Sequence, residues 1–429
     1  MSENVGRRRF LQGAAGGVAA GALAAGTTFA NRSAGHDASG GEATASAAGS
    51  AAAGEQDVVN LARSYPFYDQ PHPPGIETPP QRHAIVMTFD LIDGSTQQDL
   101  QTLLARWTAA ISLLMAGRPV GQVQPTRPEA VGQDTGEVVG LEPAGLTVTV
   151  GLGPTLFDDR FGLAAKRPAL LKPLPTLPSD NLVAANSGGD LSLQVCSDDP
   201  QVCYHAVRNL ARMVRTTALT RWTVIGFGRA SAGKGQQTPR NLFGFKDGTR
   251  NVTEAVDRDR FVWLDDAGWM TGGTYQVIRK IEMNIEIWDS AKIAVQENIF
   301  GRNKVEGAPL TGKAEFDTPD FTTMTQGAEA VPVIDTKSHI ALSAPENNSG
   351  IKILRRGYNF TDGINEFGQL DAGLLFITYV NDPAHFVQLQ TKLGAADLLN
   401  EYILHVGSGI FAVPPTPATG HYIGEQLFT

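Results

Sequence analysis

The sequence predicts an α+β fold of two tandem ferredoxin-like domains, each running β-α-β-β-α-β with an antiparallel sheet. Three observations carry this. The first half alternates short apolar runs with two amphipathic stretches. The second half repeats that order less clearly. The two halves join near residues 229–240.

The elements follow in order. Ala84 to Leu91 reads as a strand. Ser95 opens a helix, with Gln98 completing a capping box. Leu100, Leu103, Leu104, Trp107, Ile111 and Leu114 form its apolar stripe, and Gly117 stops it. Leu146–Leu152 and Leu191–Cys196 are strands. Asp199 and Pro200 supply cap and first-turn chemistry for a second helix through Val207, Leu210 and Val214. Arg221–Phe227 completes the first unit. In the second half, alternation from Tyr275 to Ile287 makes one long strand. A short helix spans Lys292 to Phe300. Strands follow near Ser338–Leu342, Ile353–Phe360 and Leu374–Val380. Pro383 starts a helix reaching Leu399, and Gly409–Val413 is the last strand.

The globular part is preceded by two segments of different character. Arg7-Arg8-Arg9-Phe10-Leu11 has the form of a twin-arginine export motif, and a weakly apolar Ala/Gly run follows to Ala30. Residues 1–30 therefore read as a signal peptide cut after Ala30, leaving no stable membrane span. An uncleaved anchor is the alternative. Residues 31–55 are Ala, Gly and Ser, a flexible linker. The domains are then 56–235 and 236–429. The expected location is periplasmic or extracellular.

Composition bounds the function. With 42% hydrophobic and 18% charged residues the chain can build a sizeable core. A net charge of −9 argues against a nucleic-acid partner. The two cysteines, Cys196 and Cys203, form no C-x-x-C pair, and two buried free thiols are favoured over a disulfide. The eight histidines give no H-E-x-x-H. The G-x-S-x-G elbow and the Walker A loop are missing, so hydrolase and NTPase readings lack their signatures. No C-x-x-C-H attaches a haem covalently.

Three short segments carry candidate chemistry. Asn241 to Thr249 places two aromatics and glycines around Asp247-Gly248, which alone is a turn signal. His339 lies in the apolar run Ser338–Leu342. Arg355 and Arg356 alternate faces, so that one enters a pocket and the other meets solvent or a propionate.

Taken together, Gly244-x-x-Asp247-Gly248, His339 and Arg355 resemble the dye-decolorizing peroxidases, in particular the exported deferrochelatase/peroxidase branch. The blocks Gly145–Phe157, Asp198–Arg208, Gly301–Leu310 and Gly368–Tyr379 extend the resemblance over nearly all of the mature chain. It implies non-covalent haem b, one per chain, with His339 as axial ligand. It implies Asp247 as distal acid–base catalyst and Arg355 as distal arginine that also reaches a propionate. Gly248, Thr249 and Arg250 then run along the haem. Ala344, Pro345 and Glu346 line its proximal side, Arg302 meets a propionate, and Leu374 and Phe376 cap the distal pocket. The implied partners are hydrogen peroxide and a small reductant such as a phenol, dye or porphyrin. The alternative function is release of iron from haem within an iron-uptake system. A homodimer also fits this fold. Trp263, Trp269, Trp288, Tyr358 and Tyr379 are candidate electron relays by position.

Overall fold

The computed structural model describes residues 59–228 and 238–429. The expected signal peptide, the linker and part of the junction at 229–240 lie outside the described residues. In chain order the elements are β1 (His83–Leu91), α1 (Gln97–Met115), β2 (Thr147–Leu152), β3 (Leu191–Ser197), α2 (Pro200–Met213) and β4 (Ala218–Phe227). The second half contains α3 (Ala255–Phe261), β5 (Thr274–Met283), α4 (Ile285–Ser290), α5 (Ile293–Phe300), α6 (His339–Ser343), β6 (Leu354–Arg355), β7 (Tyr358–Ile364), β8 (Leu370–Val380), α7 (Pro383–Ala396) and β9 (Ile403–Val413).

All nine strands join one antiparallel sheet in the order β5-β9-β2-β3-β1-β4-β7-β8-β6, and β5 pairs back onto β8. The sheet therefore closes on itself like a barrel. Each half contributes a consecutive block, β2-β3-β1-β4 and β7-β8-β5-β9, but residues Gly54–Thr429 form one compact unit. The seams between blocks are short. Leu152 opposite Ala412 joins β2 to β9, and Gly226–Phe227 opposite Asn359–Phe360 joins β4 to β7. β6 and β7 share one register along β8, interrupted at Arg356-Gly357.

Strand alternation sends one side-chain set inward. Ala84, Val86, Trp222, Val224, Ile278, Leu375, Ile377, Tyr379 and Phe411 fill a common buried cluster. Polar groups within it are paired. The Tyr379 hydroxyl donates to Gln194 Oε1 at 2.7 Å and accepts from Gln276 Nε2 at 2.8 Å. The chain ahead of β1 reaches this cluster through Ile76, and the Gln81 amide binds Gly145 O and Thr147 Oγ1. Arg356 is 2% exposed and donates to Thr78 O at 2.5 Å and to Gln81 Oε1. The expectation that the second arginine meets solvent or a propionate is thus corrected: strand parity turns it into the interior. Cys196 and Cys203 are free and buried.

The apolar stripe of α1 is buried as expected, together with Val202, Val207 and Leu210 of α2. Its cap sits one residue later than expected. Thr96 accepts from Asp99 N, and the Asp99 carboxylate accepts from Thr96 N. The Ser95 hydroxyl is engaged elsewhere, donating to Thr217 O at 2.8 Å. Two further expectations are corrected. The long strand stops at Met283, because Asn284 caps α4 and its side chain accepts from Ile287 N. Ser338–Leu342 is not a strand but the cap and start of α6. So short an apolar run has no period to separate the two, and Asn348 decides by donating to Leu342 O and Ala344 O.

The long loop between α1 and β2 is fastened to α2 by a buried pair. His205 Nε2 donates to Asp134 Oδ1 at 2.9 Å, with both side chains 1% exposed. Burial would raise the Asp134 carboxyl pKa, but the bonds from His205 and the amides of Gly136 and Val120 lower it below 3.8. A depressed carboxylate stabilises the fold above its unfolded pKa and loses that contribution as pH falls through the folded value. Asp134→Ala should cost ~1–3 kcal/mol at neutral pH by leaving the imidazole unpartnered. Denaturant titration should show the deficit shrinking below pH 4.

Candidate active site

The motif segment is built as an anchored turn. Phe243 and Phe245 are 1% exposed. Phe243 packs on Trp288, with ring centroids 4.4 Å apart, and Phe245 stacks on Phe300 at 4.0 Å. The chain then folds back, with Asn241 N donating to Phe245 O and Asp247 N donating to Pro239 O at 2.8 Å. Gly248 takes φ +125°, where a side chain is strained, and Arg250 sits at φ +60°. Asp247 emerges from this turn half-buried.

Arg355 faces it from β6. Its Nη1 lies 3.6 Å from Asp247 Oδ1, too long for a hydrogen bond, and its Nη2 donates to Thr249 O at 3.0 Å. Asn251 holds the Arg355 backbone at the strand's other edge. The Asn251 side chain accepts from Arg355 N at 2.8 Å and donates to Arg355 O at 2.7 Å. This amide stands in for a neighbouring strand.

His339 is the first residue of α6. Its Nδ1 donates to Asp397 Oδ2 at 2.7 Å. Asp397 is 2% exposed, and its other oxygen accepts from Leu399 N. Nε2 has no partner among the described residues, and the side chain stays 31% exposed beside buried Ile340 and Ala341. Burial lowers the imidazole pKa, but the charge and hydrogen bond of Asp397 outweigh it, so the net shift is upward. Asp247 raises it further and Arg355 opposes, which puts all three in one electrostatic neighbourhood.

The remaining expected residues surround this centre. Arg250 forms a double contact with Glu346, at 2.5 and 3.2 Å, and Glu346 is lowered chiefly by it. Ala344 N donates to Ile340 O, and Pro345 opens the turn that carries Glu346. Arg302 is buried and donates to Gly307 O and Glu315 O. Burial, with Arg250 and Arg355 nearby, lowers its pKa to about 10. Leu374 and Phe376 share the outer face of β8 and are half-exposed, while Leu375 and Ile377 between and beside them are buried.

An imidazole with one nitrogen pinned and the other without a partner among the described residues, partly exposed apolar side chains on β8, and clustered guanidiniums suit a planar macrocycle with anionic edges. The donor set therefore fits haem. Three residues of the site were not read from sequence. Asn251 and Glu315 act through backbone or buried hydrogen bonds. Asp397 carries a readable local signal, capping the turn Leu398–Glu401, but no trace of its link to His339.

Comparison with known proteins gives the family of the chain. Residues 73–228 match the family model "Dyp-type peroxidase, N-terminal", and 238–418 match "Dyp-type peroxidase, C-terminal". The chain is 36% identical to the Deferrochelatase of Escherichia coli K12 over 376 residues, 84% of this chain and 86% of the relative. Ferric DtpA from Streptomyces lividans superposes with TM-score 0.79 at 36% identity, covering 86% of this chain and 97% of that one. The DyP-type peroxidase from Cellulomonas bogoriensis gives 0.77 at 38% identity, covering 86% and 98%. The chain belongs to the Dyp-type peroxidase family, enzymes that act on peroxide with haem.

Proposed function

We propose that this chain is an exported haem b peroxidase using His339 as the axial ligand, Asp247 as the acid–base group and Arg355 as the distal cation. The observation that carries the reading is the pairing of His339 with buried Asp397 in the same electrostatic neighbourhood as the loosely held Asp247–Arg355 pair. We also read the two blocks of strands, 56–235 and 236–429, as ferredoxin-like repeats.

Haem, when bound, supplies a redox-active iron that takes oxidising equivalents from peroxide and returns them to a donor. The protein's own groups do the rest. Asp397 accepts the hydrogen bond from His339 Nδ1–H, which leaves the Nε2 lone pair free and raises its basicity. The Asp247 carboxylate makes no hydrogen bond to a described residue, so it is available to take a proton from one peroxide oxygen and return it to the other. The Arg355 guanidinium, fixed by Thr249 and Asn251, stabilises the negative charge that develops as the O–O bond lengthens. Arg250 and Arg302 would neutralise the propionates. Leu374 and Phe376 exclude water from the reacting face.

Export by the twin-arginine route rests on Arg7 to Ala30, and a periplasmic or extracellular donor follows from it. Fractionation of cells carrying the full chain and an Arg7–Arg8→Lys–Lys variant tests it, with retention of the variant in the cytoplasm expected. The likeness to a protein named Deferrochelatase favours a second reading, iron release from haem. Incubation with haem and extraction should yield metal-free protoporphyrin if that reading holds, and intact haem if it fails.

A further inference from the structure

Outside the groups that face the reaction, one buried carboxylate holds the reacting turn in place. Glu315 is 8% exposed and lies 66 residues or more from its hydrogen-bond partners in sequence. Its Oε1 accepts from the hydroxyls of Thr238, at 2.5 Å, and Thr249, at 2.9 Å. Its Oε2 accepts from Lys246 Nζ at 2.5 Å. Burial raises the Glu315 pKa, but these three donors together with the Lys246 charge bring it below the ordinary value, so the group is ionised at neutral pH. The backbone carbonyl of the same residue accepts from Arg302 Nη1.

We propose that Glu315 is the positioning residue of Asp247, and this rests on the peroxidase reading above. Lys246 precedes Asp247 and Thr249 follows it by two, so one carboxylate grips the chain on both sides of the catalytic position. Between the grips lies Gly248 at φ +125°, whose backbone has the widest freedom in the segment. Phe243 and Phe245 anchor the approach, and the next buried apolar side chain after Asp247 is Val252, so the turn between them is left to polar restraint. The clamp supplies that restraint, and through Thr249 O it also sets the Arg355 guanidinium. The 3.6 Å spacing of Asp247 and Arg355 follows from where this turn is held. A shift near 1 Å in such a pair costs on the order of 100-fold in rate.

The test uses the haem-loaded protein and its apo form. Glu315→Ala should lower the second-order rate of reaction with hydrogen peroxide by ~10- to 100-fold, leaving KM for the reducing donor unchanged. Glu315→Gln keeps an oxygen for the two hydroxyls and should recover most of the loss. Lys246→Met, which leaves the carboxylate in place, should fall between them. In apo protein, hydrogen exchange of the Asp247 amide should rise in Glu315→Ala while the β8 amides keep their protection. Unchanged peroxide rates in Glu315→Ala and Lys246→Met together with unchanged Asp247 exchange in Glu315→Ala would overturn the proposal. So would a uniform rise in exchange through β8. Asp247→Asn serves as the control: if it does not slow the peroxide step, the reading of Asp247 as the acid–base group fails; if it does and the Glu315 series does not, only the positioning role fails.

Discussion

Asp247→Asn is expected to leave haem bound and the fold intact while slowing the reaction with peroxide by ~10²–10⁴-fold, the contribution of a positioned acid–base group. The amide has the shape of the carboxyl group but cannot accept the peroxide proton. Its neighbourhood tolerates the change, because the Arg355 contact is only a 3.6 Å approach and Arg355 keeps its bonds to Thr249 and Asn251. Stopped-flow absorbance would resolve the step. A rate within threefold of the parent would remove Asp247 from proton transfer and leave Arg355 as the only distal contributor.

The second large effect belongs to the other side of the site. His339→Ala should abolish the Soret band of the reconstituted protein and with it the peroxidase activity, because His339 Nε2 is the nitrogen proposed to hold the iron. Loss of the ligand leaves Asp397 buried with an unused oxygen, so a drop in stability should accompany it. Asp397→Asn separates these contributions. It should keep the band but weaken iron retention or activity by ~10–100-fold, the usual cost of losing such a support. An unaltered spectrum in His339→Ala would require another axial ligand.

Much of this was legible in sequence because it was local. The α1 stripe, the Asp199-Pro200 start of α2 and the strand at His83–Leu91 each follow from a pattern within one element. The errors have local causes too. Ser95 and Thr96 are equivalent as caps until Thr217 O claims the first. Alternation past Met283 continues in the letters, but Asn284 ends the strand. What sequence could not show is pairing at a distance. The closure of β5 on both β8 and β9 needs partners more than 90 residues apart. His339 and Asp397 lie 58 apart, and the Glu315 clamp spans more. Asp247, Arg355 and His339 were singled out because their order resembles a family, not because any of the three is distinctive alone.

Ring closure also bears on which strand edges of this protein are left to pair. An open sheet of four strands, which each half alone would be, leaves two rows of unpaired amides and carbonyls that a neighbour can extend. Here β2 meets β9 at Leu152–Ala412, β4 meets β7 at Gly226–Phe360 and Phe227–Asn359, and the edge of β6 beyond β8 is taken by the Asn251 amide. At these pairs a neighbouring strand has no free row to extend, so the ring protects its seams from templated strand addition by topology.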